Sequence, residues 1–440
     1  MRGIPVTGRL GSPRIRRAVA VTVALAAATS LAACGFSGPS TSSSKGLTIW
    51  ALNDQTILKQ SVDAYNKDHP DAKITLRLFA NDDYKQKLRV AFGANQAPDL
   101  FFNWGGGALN DYVKAGKVDV LNATDVNADR YTDSVMQSAT FEGKVYGVPV
   151  NGLAPVVLYY NKKVLSDADV QPPKTYDGLL AAVKKLKGKG VTPLSLAADS
   201  KWPTLMYLEY LVDRTGGSRV FARIASGDAA TWKDQSVTKA NQKLQDLAKA
   251  GAFGNNASSV TYDQGASTAL LYTGKAAMEV MGTWEYANTA KAAPDFLKKG
   301  DLGYTAFPAL TDGAGSAANI VGNPSNFLSL NKSSKNKSDA LTYLKNYVLN
   351  GSQVDAYLAS GSVPPVKGLD SKLAAVKSSS DKAWLTFVYD LVDKAPSFQL
   401  SWDQALPSDQ ADPLLTNTGK SFLRQISPAE FGVNMSKAGS

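Results

Sequence analysis

The sequence predicts an α/β fold of two domains, each built on a mainly parallel sheet flanked by helices. Strand, polar loop and helix alternate three times between residues 47 and 114, the rhythm of a parallel sheet. About 395 residues follow a short N-terminal segment, more than one hydrophobic core usually organises. No repeat period and no sustained heptad points to a solenoid or coiled coil instead.

The N-terminal segment has its own chemistry. Arg2, Arg9, Arg14, Arg16 and Arg17 precede an uncharged run from Ala18 to Ser30, then Leu31-Ala32-Ala33-Cys34. A basic start, an apolar stretch and small residues before a cut site make residues 1–33 a secretory signal peptide. The run is about 13 residues, shorter than the roughly 20 needed to span a bilayer as a helix. The Leu-Ala-Ala-Cys ending resembles a bacterial lipobox, which implies a lipid on Cys34 and a protein held at the outer face of the membrane. Arg16-Arg17 lacks the Phe-Leu-Lys that would follow in a twin-arginine signal. Residues 34–45, rich in Ser, Thr, Gly and Pro, read as a flexible tether.

Order begins with the strand Leu47-Thr48-Ile49-Trp50. Leu58, Val62 and Tyr65 follow at helical spacing, with Asp54 as a candidate N-cap and Pro70 as the stop. Residues 74–79 alternate as a second strand, and Asn81-Asp82-Asp83 opens a helix carrying Tyr84, Leu88 and Phe92. Leu100-Phe101-Phe102 is a third strand, leading through Asn103-Trp104-Gly105-Gly106-Gly107 into the next helix. Farther on, Val156–Tyr160 reads as a buried strand, Tyr176 to Leu186 as an amphipathic helix, and 270–284 as a helix followed by a strand. Helices are also indicated near 338–350, 353–358, 383–392 and 414–425.

Composition excludes several functions. The formal net charge of +10 falls to +5 without residues 1–33, and the remaining Lys and Arg are interleaved with acids. The basic stripe of a nucleic-acid binder is therefore missing. Cys34 is the single cysteine and His69 the single histidine, which leaves almost no material for zinc sites or Ser-His and Cys-His nucleophiles. His69, beside Pro70, reads as a cation at a helix C-terminus. No cofactor or metal is expected. A glycosidase needs two carboxylates flanking the scissile bond, and no acidic pair stands out among five glutamates.

Three groups of residues carry a family resemblance. One comprises Tyr146-Gly147-Val148-Pro149, Leu158-Tyr159-Tyr160-Asn161-Lys162 and Pro173-Lys174-Thr175-Tyr176. Another is Thr273-Gly274-Lys275-Ala276-Ala277-Met278 with Met281-Gly282-Thr283-Trp284, and the last is Ala97-Pro98-Asp99-Leu100-Phe101. In this order, beside a lipobox, they resemble the extracellular solute-binding lipoproteins of carbohydrate ABC transporters, the maltodextrin-binding superfamily. Tyr176 stands where that family usually has Trp, at a position facing the helix core. The resemblance implies two lobes joined by a hinge, with lobe 1 at 46–151 and 309–363 and lobe 2 at 152–308 and 364–440. Chain crossings would fall near 150–154, 307–311 and 361–368. It further implies a monomer that closes on an oligosaccharide and docks on two permease subunits driven by a separate ATPase. Asn103-Trp104-Gly105-Gly106-Gly107 and Ser401-Trp402-Asp403-Gln404 resemble binders of β-linked disaccharides, with xylobiose or xylo-oligosaccharides first and chitobiose or cellobiose second.

A sugar presents an apolar ring face and a rim of hydroxyls, so its site wants aromatic planes with amides and carboxylates. Trp284, at a strand end with Glu285 beside it, is the leading platform. Trp104 has three glycines after it that would let backbone approach a ligand. Asn53, Asp54, Asn81, Asp82 and Asn103 fall beyond strand C-termini, where α/β sheets bind ligands, although such residues also cap helices. Asn151 sits at a predicted hinge, and Asn323 and Asn326 in a loop entering a strand. Tyr207 belongs to an aromatic-acidic patch with Trp202 and Glu209 that fits binding or helix core. Trp402, with Asp403 beside it, likewise fits a ligand contact or packing. A membrane-anchored hydrolase using Glu285 and Asp403 as its acid pair is the rival reading.

Overall fold

The computed structural model describes residues 46–439. The signal peptide expected at 1–33, the tether expected at 34–45 and the lipid site expected at Cys34 lie outside the described residues. The strands are β1 (Thr48–Leu52), β2 (Thr75–Phe79), β3 (Leu100–Asn103), β4 (Thr140–Phe141), β5 (Lys144–Val145), β6 (Val148–Pro149) and β7 (Ala154–Asn161). They continue with β8 (Thr192–Ser195), β9 (Ala276–Gly282), β10 (Leu302–Thr305), β11 (Ile320–Asn323), β12 (Phe327–Leu330) and β13 (Phe398–Leu400). One sheet has the order β2-β1-β3-β12-β6 and a second β13-β11-β7-β9-β8, with β10 also on β7. Each sheet is flanked by helices, making a two-lobe α/β fold.

The three N-terminal units form as their periodicity predicts. Helix Thr56–Asp68 buries Leu58, Val62 and Tyr65, the last against Tyr343 and Tyr347, and helix Asn81–Gly93 buries Tyr84, Leu88 and Phe92. β1 runs parallel to β2 and β3 because a helix returns the chain each time. The sheets are nonetheless mixed rather than mainly parallel. β12 is antiparallel to β3 and β6, and β7 is antiparallel to β9, β10 and β11. These strands enter by short passages between the sheets, with no helical crossover to restore direction. Parallel pairing persists at β8–β9 and β11–β13.

The chain first changes sheets at 150–153, between β6 and β7. The second passage corrects the expectation of 307–311. β11 still pairs with β7 and β13, so the chain leaves the second sheet at 324–326, between β11 and β12. A third passage follows helix Gly351–Ala359. Val363 accepts from the Leu153 amide at 2.7 Å and Lys367 donates to Arg130 O at 2.9 Å, and by Trp384 the chain is packed on Tyr159 of β7.

The second sheet's core centres on helix Trp202–Gly216, buried along nearly its whole length. Near its end Asp213 accepts hydrogen bonds from Arg214, Asn319 and Gln399. That cluster fixes β13, whose end delivers Ser401, Trp402, Asp403 and Gln404. His69 sits at the C-terminal end of helix Thr56–Asp68 and stacks on Tyr65 at 4.3 Å.

Candidate functional site

A cavity of about 740 Å³ lies between the two sheets' lobes, within the usual size of a small-ligand site. The ends of β1 and β3 supply Asp54 and Trp104 on one wall, and helix Asn81–Gly93 adds Asn81 and Lys85. Trp202, Tyr262 and Trp284 form the other wall. Asn151 and Asn326 of the passages between sheets and Asn323 at the end of β11 make the floor, with Ser401, Asp403 and Gln404 alongside. A side cavity of about 300 Å³ shares Asp54, Asn81 and Tyr262 and adds Asn53, Asp263 and Glu285.

The aromatic wall is held by a short relay. Trp284 opens helix Trp284–Ala292 directly after β9, and its indole folds back over Gly282. A Cβ on Gly282 would stand 2.0 Å from that ring, so only glycine admits this placement. The indole N–H donates to the Tyr262 hydroxyl at 2.8 Å, which in turn donates to Glu285 Oε2 at 3.1 Å. Asn288 donates to the same carboxylate at 3.2 Å. Trp202 meets Tyr262 edge-on with centroids 4.6 Å apart. Across the cavity, Trp104 lies edge-on to Phe102 and Tyr84, with Lys85 Nζ 4.9 Å above its ring.

The polar lining is partly committed and partly open. Asn151 Nδ2 donates to Asn326 Oδ1 at 3.0 Å, and Tyr357 donates to Val150 O, which ties the floor together. Among the described residues, Asn323 Oδ1 and the Trp202 indole N–H are buried without a protein partner, and both residues line the cavity. An acceptor and a donor are thereby left for a bound molecule, since orphaned buried polar atoms are costly. Asp54 is water-accessible, yet the surrounding walls strip enough solvent to push its carboxyl pKa up, and the charge of Asp263 adds to this. Burial also raises Glu285, against the lowering effect of its Thr268, Asn288 and Tyr262 hydrogen bonds. No group of three His, Cys, Asp or Glu side chains among the described residues is arranged to hold a metal.

Several candidates lie elsewhere than the sequence suggests. Trp402 is fully buried, stacked on Phe221 at 4.3 Å and packed on Trp232, so it is a core residue. Tyr207 is also fully buried, against Phe253 and Phe307. Asn103 points inward, donating to Ser329 and accepting from the Gly105 amide, and so shapes the Trp104 turn. Asp54 does not cap its helix; its carboxylate accepts from Gln55. Asp82 takes a hydrogen bond from Ser200. Gly106 and Gly107 accommodate chain, not ligand: a Cβ at Gly106 would meet Leu400 at 2.5 Å and one at Gly107 the Leu406 backbone at 2.4 Å. Asp403 lines the cavity while paired with Lys85 at 3.3 Å. Tyr262, Lys85 and Gln404 went unselected in the sequence. Tyr262 sits in a non-periodic loop, where nothing local separates it from other tyrosines.

Comparison with known proteins places this arrangement. The family of bacterial extracellular solute-binding proteins matches residues 50–354. The chain belongs to that family. A solved structure from work on xylan utilization by the thermophilic bacterium Caldanaerobius polysaccharolyticus is 31% identical to this solute-binding protein. It superposes with a TM-score of 0.80 over 89% of this chain and 99% of that one. The diacetylchitobiose binding protein DasA of Streptomyces coelicolor is 27% identical over 368 residues, 78% of this chain and 80% of that one. An uncharacterized ABC transporter extracellular-binding protein of Pyrococcus horikoshii is 27% identical over 239 residues, 53% of this chain. The match spans about half that relative's length, 55%. Among the described residues no helix is long and apolar enough to cross a membrane.

Proposed function

We propose that this solute-binding protein is the sugar-capturing component of an ABC importer. In this reading it takes a β-linked oligosaccharide in the cleft, with xylobiose or xylo-oligosaccharides first and chitobiose or cellobiose second. The observation that carries the reading is the set of indoles lining opposite walls, Trp104 on one and Trp202 and Trp284 on the other, around a floor of asparagines. Apolar ring faces would stack on the indoles while hydroxyls meet Asn323, Asn151 and Asp54. Aromatic contacts add about 0.5–1.5 kcal/mol each beyond area burial. Two or three of them with several hydrogen bonds reach the roughly 8 kcal/mol of a micromolar complex. The likeness to a structure from xylan work supports the first sugar class, and the likeness to DasA supports the second.

In the same reading, lobe 1 is 46–151 with 324–363 and lobe 2 is 152–323 with 364–439. A monomer anchored at the outer membrane face through a lipid on Cys34 delivers its sugar to two permease subunits served by a separate ATPase. No bond is cleaved. Glu285 is turned to Tyr262 and Asn288, and Asp403 to Lys85 and Gln404, so the acid pair of a hydrolase is already engaged. Titration calorimetry against xylobiose, cellobiose and chitobiose tests the proposal. Micromolar binding of at least one, with no reducing sugar released on long incubation, is the expected result. Heat-silent titrations with all three overturn the ligand class.

A further inference from the structure

Helix Asn81–Gly93 begins without a side-chain cap of its own. Its orphan donors are met from the opposite wall of the cleft. The amides of Asn81 and Asp82 each donate to the Asp263 carboxylate at 3.2 Å, one to each oxygen. A carboxylate at a helix N-terminus satisfies both the free N–H groups and the positive end of the helix dipole. Asp263 follows Tyr262, whose hydroxyl holds the Trp284 indole. The Tyr262 amide donates to Ser200 Oγ at 3.1 Å, and Ser200 donates to Asp82 Oδ2 at 2.9 Å. One short loop thus touches the aromatic platform with its first side chain and the facing lobe with its second.

We propose that Tyr262-Asp263 is a latch that couples occupation of the Trp284 platform to closure of the lobes. A ring seated on Trp284 restrains the indole, the indole restrains Tyr262, and the loop so ordered presents Asp263 to the helix end. The two lobes then share a cap that neither completes alone. Asp403–Lys85 at 3.3 Å and Asp412–Arg89 at 3.0 Å join the same helix to the second lobe farther along, but the latter pair is exposed and screened by water. The latch is the contact linked directly to the aromatic wall.

The proposal rests on the cleft being the ligand site, and two measurements keep the two ideas apart. Using whichever of xylobiose, cellobiose and chitobiose binds tightest, Asp263→Ala is expected to speed dissociation about tenfold, the equivalent of ~1.4 kcal/mol. Asp263→Asn, with one carbonyl acceptor left, falls between Asp263→Ala and wild type. Asp263→Ala is also expected to lower the melting temperature more with saturating sugar than without it, which a merely structural cap would not do. Wild-type dissociation kinetics in Asp263→Ala, with sugar bound normally, overturn the latch and leave the binding function standing. If none of the sugars binds wild type, hydrogen exchange at the Asn81 and Asp82 amides decides: faster exchange in Asp263→Ala supports the latch, and equal exchange overturns it.

Discussion

Trp284 and Trp402 occupy nearly the same local setting and have opposite fates. Each opens a short helix directly after a strand, β9 for one and β13 for the other, and each is followed by an acid. Trp284 stays half-buried and lines the cleft because Gly282 leaves room for the indole to fold back over the strand end. Trp402 turns the other way. Its backbone amide donates to Glu209 at 2.7 Å, its ring stacks on Phe221, and its polar neighbours Ser401, Asp403 and Gln404 face the cavity in its place. A tryptophan at a strand end is therefore a platform or a wedge according to what stands two residues before it and what waits behind it.

Substitutions at the two positions should separate cleanly. The largest effect belongs to Trp402→Ala, which should lower folding stability by about 3–5 kcal/mol in urea denaturation, the range for emptying an aromatic core position. A loss below ~1 kcal/mol would deny the ring its core role. Next, Trp284→Ala should weaken sugar binding by about 2 kcal/mol in calorimetry while leaving the urea midpoint nearly in place. Wild-type affinity in that variant would discard Trp284 as the platform.

Gly282→Ala tests why the two rings differ. Its methyl group would displace the Trp284 indole, and binding should fall by about 1 kcal/mol without any change of a ligand-facing side chain. The smallest effect concerns the acid after Trp284. Burial raises the folded-state pKa of Glu285, so its favourable contribution is complete below the unfolded value of about 4.3 and is lost as pH rises through the folded value. Scanning calorimetry should find Glu285→Gln as stable as wild type near pH 4 and more stable at pH 7. A constant offset across that range would contradict the raised pKa.

Periodicity was enough for the helices that bury Leu58, Val62 and Tyr65 or Tyr84, Leu88 and Phe92, because each pattern is local and strong. It was not enough for strand direction. β12 and β7 read as ordinary buried strands, and only their partners, far off in sequence, make them antiparallel. The second passage between sheets was misplaced for the same reason: 320–323 carries no mark of which sheet it joins. In the cleft, polar residues at strand ends such as Asp54, Asn81 and Asn323, the passage residues Asn151 and Asn326, and Trp284 could be picked out by position and type. Tyr262 could not, since its importance lies in a hydrogen bond to Trp284 across 22 residues.

Sequence by itself determined the α/β class, the first three strand-helix units, and a supply of indoles and amides suited to sugars. Those features depend on spacing and composition within a few turns of chain. Tertiary structure alone decided which tryptophans face the cleft, why Gly106 and Gly107 meet protein rather than ligand, and how Asp263 caps a helix of the other lobe. These depend on contacts between segments as much as 300 residues apart, such as Gly106 against Gln404, and no local pattern encodes the far partner.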